Sequence, residues 1–253
     1  MTPFPVDPDG GNPVPVGAFM TTHWTTVLNA GDVESPEVTR AMSRLCRIYW
    51  YPLYTYVRRQ GHDAEEAKDL TQEFFARLLA RNYLRTADRQ KGKFRWFLMA
   101  AMENFLAKEW RDARRLKRGG GQPVFSLDEV DAENRYRFEP EETMTAEKIY
   151  ERRWALTLLD RAMQRLRAEF QESDKGGLFE ALQVFLSGER TEDTHEEIGA
   201  RFNMTKGAVG VAVHRMRKRY GELLREEVAD TVAGPEGVNE ELHYLRQVLN
   251  GSS

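Results

Sequence analysis

The segment KFRWFLMAAMENFLAKEWRDARRLKRGGG, residues 93–121, interleaves Phe94, Trp96, Phe97, Phe105 and Trp110 with a dense run of lysines and arginines. Aromatic rings alone would suit a protein core, and cations alone a solvated face. Together they suit a surface that grips nucleic acid, where a ring stacks on an unpaired base while cations hold the backbone. At 3.6 residues per turn, Phe94, Phe97, Leu98, Ala101 and Phe105 fall on one side and read as core. Trp96, Asn104, Lys108, Arg111 and Arg115 fall nearer another side. With Arg95 they are the candidates for holding an opened strand. Opening one duplex step costs roughly 1–2 kcal/mol, and stacking a base on an aromatic ring returns about 1–3 kcal/mol. A helix of this composition can therefore trap unpaired bases.

A second constellation lies in HEEIGARFNMTKGAVGVAVHRMRKRY, residues 195–220. A short helix carries Ile198 and Phe202, with Gly199 and Ala200 small enough to let a second helix cross closely. Asn203-Met204-Thr205 reads as the turn, with Thr205 capping the next helix. That helix buries Val209, Val213, Met216 and Tyr220 on one side. Its other side presents Lys206, Gly207, Gly210, His214 and Lys218, flanked by Arg215, Arg217 and Arg219. This is the pattern of a helix-turn-helix whose second helix enters a major groove. Gly210 and Val211 offer little hydrogen bonding, so the arginines are expected to position the helix on phosphates more than to specify sequence.

The elements that must hold these two stretches are all helical in pattern, with almost no strand signal. Ser35-Pro36-Glu37 opens a helix with Leu45, Tyr49, Leu53 and Tyr56 at helical spacing, ending near Gly61. Asp63 to Glu66 forms a capping box for a helix that buries Ala67, Leu70, Phe74 and Leu78. Thr86 to Lys93 reads as a polar loop. Helical pattern returns near Thr145 and runs through Trp154, Leu158, Leu159 and Leu166, breaks at Ser173 to Gly177, and resumes at Leu178 to Leu186. Beyond Gly234-Pro235, Asn239-Glu240-Glu241 is the expected cap of a small terminal helix.

The charge pattern divides the chain in the same way. The net charge of -3 hides 11 lysines and arginines against 4 acids in residues 85–118, and 7 against 1 in residues 201–225. Each basic block is followed by an acidic one: 8 acids against 3 bases in residues 119–149, and 6 against 1 in residues 226–253. Two basic blocks set apart by acidic ones imply two nucleic-acid surfaces with spacers. The organisation read from this is a flexible arm at 1–20, a helical domain at 21–118, an acidic linker at 119–144, a helix-turn-helix domain at 145–232 and a tail at 233–253. Cys46 is the sole cysteine, so it reads as a buried structural thiol. No apolar run approaches the ~18 residues of a membrane span. Residues 1–20 lack the basic start and apolar run of a secretion signal. A cytoplasmic protein without membrane insertion is expected.

Asp69-Leu70-Thr71-Gln72-Glu73-Phe74-Phe75, then Phe94-Arg95-Trp96-Phe97-Leu98 reaching Asn104, an acidic linker and the helix-turn-helix occur in this order. In that order they resemble a bacterial RNA polymerase sigma factor of the sigma-70 family, in its compact extracytoplasmic-function (ECF) group. The resemblance spans roughly residues 21–232. It implies an all-α fold of two helical domains, one like sigma region two and one like region four, joined by the acidic linker. It also implies a promoter-specificity subunit that binds core RNA polymerase, recognises minus-ten and minus-thirty-five promoter elements and assists DNA opening. By resemblance, Asp69, Gln72 and Glu73 would contact the polymerase. Asn104, with the preceding loop, would hold a base flipped from the minus-ten element, and residues 206–219 would read the minus-thirty-five element. The linker would either mimic RNA in the polymerase channel or act as a plain tether. The family allows an anti-sigma factor or other regulator as a further partner, though no residue here identifies one. The arm, the tail and Gly210, where related factors often carry a cation, depart from the family plan.

A stand-alone helix-turn-helix regulator that binds duplex DNA without core polymerase is the competing reading. It has no use for the Trp96 and Asn104 surface or for the DLTQEFF helix. An enzyme is not expected. The five histidines are scattered, His195 lacks a second histidine four residues after Glu196-Glu197, and neither a phosphate-binding glycine loop nor a nucleophile elbow occurs. No cofactor or metal is expected.

Overall fold

The computed structural model describes residues 36–80, 93–113, 132–133, 136, 144–187, 195–232 and 234–251. The expected arm at 1–20, the Ser35 cap, the loop at 86–92 and the glycine break at 119–121 lie outside the described residues. All regular structure among them is helical. The helices are α1 (Pro36–Arg59), α2 (Ala64–Ala80), α3 (Phe94–Ala113), α4 (Ala146–Glu172), α5 (Gly176–Leu182), α6 (Val184–Ser187), α7 (His195–Phe202), α8 (Lys206–Ala229) and α9 (Glu236–Leu249).

Local chemistry sets their ends. Pro36 opens α1, and Gly61, at φ +98°, takes the left-handed conformation that lets the chain turn beyond Arg59. The Glu66 N–H donates to the Asp63 carboxylate at 2.9 Å, as the capping box requires. Thr145 and Thr205 cap α4 and α8 by accepting from the N–H groups of Lys148 and Ala208. The expected cap at Asn239 is wrong: α9 begins at Glu236, three residues earlier. Pro235, at φ -62°, already supplies helical backbone there. Asn239 lies within the helix and accepts from Arg225 at 2.7 Å.

α1 is the axis of the first core. It is apolar nearly all round, burying Leu45, Ile48, Tyr49, Leu53, Tyr56 and Val57, and such a helix must be covered on several sides. α2, α3 and the N-terminal half of α4 cover it, through Phe74, Phe75, Phe94, Leu98, Met102, Tyr150, Trp154 and Leu158. Cys46 is buried in this layer, and burial pushes its thiol up to about 12. Part of the acidic segment docks here too. Ala132 is buried, while Glu133 pairs with Arg58 at 3.0 Å and accepts from the Tyr54 hydroxyl at 2.6 Å.

A second core forms around the helix-turn-helix from Ala162, Leu166, Phe179, Leu182, Ile198, Val209, Val213, Met216 and Leu223. α4 and α8 run between the two cores. The N-terminal half of α4 and the C-terminal end of α8, at Val228, belong to the first, and their remaining halves to the second. Side chains of α4 therefore cross the boundary drawn at residue 144.

One buried charge cluster ties these helices. Glu227 of α8 is fully buried and meets Arg161 at 2.7 Å and Arg165 at 2.9 Å, both from α4, and Arg44 of α1 at 3.1 Å. Burial alone would raise its carboxyl. Hydrogen bonding to Arg161, the charges of Arg161 and Arg44, and a bond from Arg165 outweigh that and hold it below the usual carboxylate range. A depressed carboxylate stabilises the fold above its unfolded pKa and loses that contribution as pH falls through the folded value. Acid titration of the melting temperature should show this loss in the native chain and lack it in Glu227→Gln. At neutral pH, Glu227→Ala should cost about 3 kcal/mol, the lower end for a broken buried pair, because its arginines keep some contact with water.

Candidate nucleic-acid interface

The helix-turn-helix is built by close approach. Gly199 of α7 is buried, and a Cβ there would sit 2.5 Å from the Met204 carbonyl oxygen. The Met204 N–H donates to the Gly199 carbonyl at 2.8 Å, and Asn203 turns the chain at φ +53°. Only glycine at 199 leaves room for this turn, so α8 crosses α7 closely enough to seal Ile198 against Val209 and Val213.

α8 then exposes Lys206, Gly207, Val211, His214, Arg215 and Lys218 along one stripe. The other expected contacts lie differently. Gly210 is half-buried, and a Cβ there would make only an ordinary contact with His195 Nδ1 at 3.9 Å, so packing does not require glycine at this position. Arg217 donates to the Phe185 carbonyl at 2.8 Å, bracing α8 on α6. Lys206, although on the exposed stripe, also pairs with Glu196 at 2.8 Å. Arg219 is held by Glu169. Val211 of α8 is 51% exposed and was not among the expected contact residues. Its signal was in the sequence: it lies four residues from Gly207 and Arg215 and seven from Lys218, on the solvent stripe.

On α3 the core line is Phe94, Leu98, Met102 and Phe105, with Phe97 and Ala101 partly buried beside it. Asn104 and Lys108 are exposed, and Trp96 is 37% exposed. The side chain of Arg111 and the whole of Arg115 lie outside the described residues. Arg95 departs most from expectation, being 1% exposed and ion-paired with Glu241 of α9. Its guanidinium lies 4.1 Å from the ring centroid of Tyr244 and 4.9 Å from that of Trp154. Burial lowers the pKa of Arg95 from its ordinary value. Lys93 meets Glu241 at 2.8 Å, and the Trp96 ring meets Tyr244 edge-on at 6.2 Å. Spacing along one helix placed Arg95 beside Trp96, but it carried no information about a helix 140 residues later.

On α2, Asp69 is exposed, while Gln72 and Glu73 are half-buried. Glu73 accepts from Arg77 at 2.7 Å, and Arg77 reaches Glu109 of α3 at 2.6 Å. Beside them a cavity of about 540 Å³ is lined by Tyr56, His62, Glu66, Leu70, Glu103 and Trp110, among others. Acidic and apolar groups thus share one side of α2 and α3. No described helix is long and apolar enough to cross a membrane.

A family model, ECF sigma factor, matches residues 21–226, most of the chain, with both constellations inside it. The chain belongs to the ECF sigma factor family. The sigma factor's role is therefore that of a sigma subunit in promoter-specific transcription initiation, binding DNA and RNA polymerase. Such factors work with core RNA polymerase and promoter DNA, are often regulated by anti-sigma factors, and are non-catalytic subunits. No curated protein and no solved structure matches the chain. α9 lies beyond the matched residues. Because the turn of the sigma factor depends on Gly199, Gly199→Ala should cost about 1–3 kcal/mol in thermal unfolding and weaken duplex binding, whereas Gly207→Ala, with open space around it, should leave stability nearly unchanged.

Proposed function

We propose that this sigma factor recognises both promoter elements and opens DNA with its own side chains. α8 reads the minus-thirty-five element in the major groove through the stripe from Lys206 to Lys218. Arg215 and Lys218 bind phosphates, and Val211 touches a thymine methyl. α3 holds the opened minus-ten strand, with Trp96 stacking on a base and Asn104 binding its edge. Asp69, Gln72 and Glu73 meet core polymerase. The modules are residues 21–118 and 145–232, joined by 119–144, and the protein acts in the cytoplasm.

The observation that carries this reading is the exposed tryptophan and asparagine on one helix of the first basic block, in a chain that also holds an exposed cationic helix in its helix-turn-helix. A regulator that binds only duplex DNA would use the second and leave the first idle. The family match, which includes both, favours the promoter-opening reading.

Purified chain mixed with bacterial core polymerase should co-migrate with it and direct transcription from genomic fragments. DNA binding without any association with core would reject the proposal. Trp96→Ala combined with Asn104→Ala should retain core binding but lose permanganate reactivity of unpaired promoter thymines. A contact between Val211 and a thymine methyl is worth about 0.8 kcal/mol by the transfer of one carbon, roughly fourfold in affinity. Replacing thymine by uracil in the recognised duplex should weaken the native protein by that factor and leave Val211→Ala indifferent.

A further inference from the structure

The terminal acidic block, left without a role by the sequence, folds onto the first basic block. α9 carries Glu236, Glu240 and Glu241, and its apolar face, Val238, Leu245 and Val248, is buried in the first core. Glu241 points to the start of α3, where Lys93 and Arg95 converge, meeting Lys93 at 2.8 Å and pairing with the buried Arg95 guanidinium. Three residues on, one helical turn away, the Tyr244 ring covers Arg95 and packs against Trp96, while its hydroxyl donates to Glu151 of α4. A carboxylate on two cations, with an aromatic ring against a tryptophan beside them, offers the chemistry that a phosphate and a base present to a strand-binding surface.

We propose that α9 is a built-in competitor for the opened DNA strand. Glu241 stands in for a phosphate and Tyr244 for a base, so the free chain keeps Lys93, Arg95 and part of Trp96 covered until α9 lifts away. This rests on reading α3 as the strand-holding face. The polar part of the exchange is chemically even, and the cost of lifting α9 is the exposure of Val238, Leu245 and Val248. Arg95 gives up a carboxylate for a phosphate of like geometry, and Trp96 gives up one ring for another. A buried ion pair is close to break-even against its desolvation, so it specifies the closed arrangement without making it irreversible. α9 has 14 residues, a length at which an isolated helix is marginal in water, so a lifted α9 should also unwind.

Full-length chain, Glu241→Gln and Tyr244→Leu, each checked for an unchanged helical signal and cooperative melting, are titrated into a fluorescein-labelled single-stranded oligonucleotide of mixed sequence. Weakening the cover raises the competent fraction, so each variant should bind about tenfold more tightly than the native chain. Adding Trp96→Ala should remove the gain. Affinity equal to or weaker than native in both variants overturns the inference. Should a variant fail to fold, hydrogen exchange on the native chain decides: amides of residues 236–249 should lose protection when the oligonucleotide saturates it, and retained protection overturns the proposal. If native holoenzyme opens promoters regardless of Trp96 and Asn104, the reading of α3 has failed, and the competitor with it. Opening that depends on Trp96, with variants no tighter than native, overturns the competitor alone.

Discussion

Glu227 is the constraint on which the arrangement of the described helices depends. A carboxylate taken fully out of water is costly unless it is paired and hydrogen-bonded. Here the compensation comes from Arg44 on α1 and from Arg161 and Arg165 on α4. Three helices must therefore meet at one point, with α8 delivering the acid. Neighbouring pairs, Arg44 with Asp230 and Arg165 with Glu226, extend the same contact. Apolar packing alone would let α4 and α8 slide along one another, since leucines and alanines on one face are nearly interchangeable. A buried charge with three partners is not, so it fixes register.

That register has consequences at both ends of the molecule. Toward the helix-turn-helix, it sets the C-terminal half of α4 beneath α8, where Ala162 and Leu166 close the second core and Glu169 holds Arg219. Toward the first core, it sends α8 to Val228 and returns the chain through Pro235, so that α9 lands on α3 and α4. The Arg95–Glu241 pair is thus a dependent of the Glu227 cluster. If α8 shifted along α4, α9 would no longer meet Arg95. α3 and α8, far apart in sequence, are mechanically connected through two long helices and two buried carboxylates.

Much of the local structure was legible because its causes are local. Capping at Asp63, Thr145 and Thr205 needs only a side chain within three residues of an unsatisfied N–H, and all three were written in the sequence or at its helix boundaries. The helix-turn-helix was legible for the same reason, since Gly199, Asn203 and Thr205 shape a turn among near neighbours. Asn239 was misread because Asn followed by acids looks like a cap, whereas a proline four residues earlier had already begun the helix. The burial of Arg95 was not legible because an arginine beside an exposed tryptophan looks like surface, and its buried partner lies 146 positions away. Arg217 and Lys206 look equally free in sequence, yet each is engaged by its own chain.

By itself the sequence determined the helical class, most helix ends, the aromatic and cationic content of α3, and the turn that presents α8. These follow from backbone geometry and the periodicity of side chains, which act over a few residues. Only the tertiary structure decided which cations face solvent, that α4 and α8 serve two cores at once, and that the acidic terminal helix lies against Lys93 and Arg95. Those outcomes depend on where distant charges lose water together, and the cost of desolvation belongs to a place in space that no stretch of sequence defines alone.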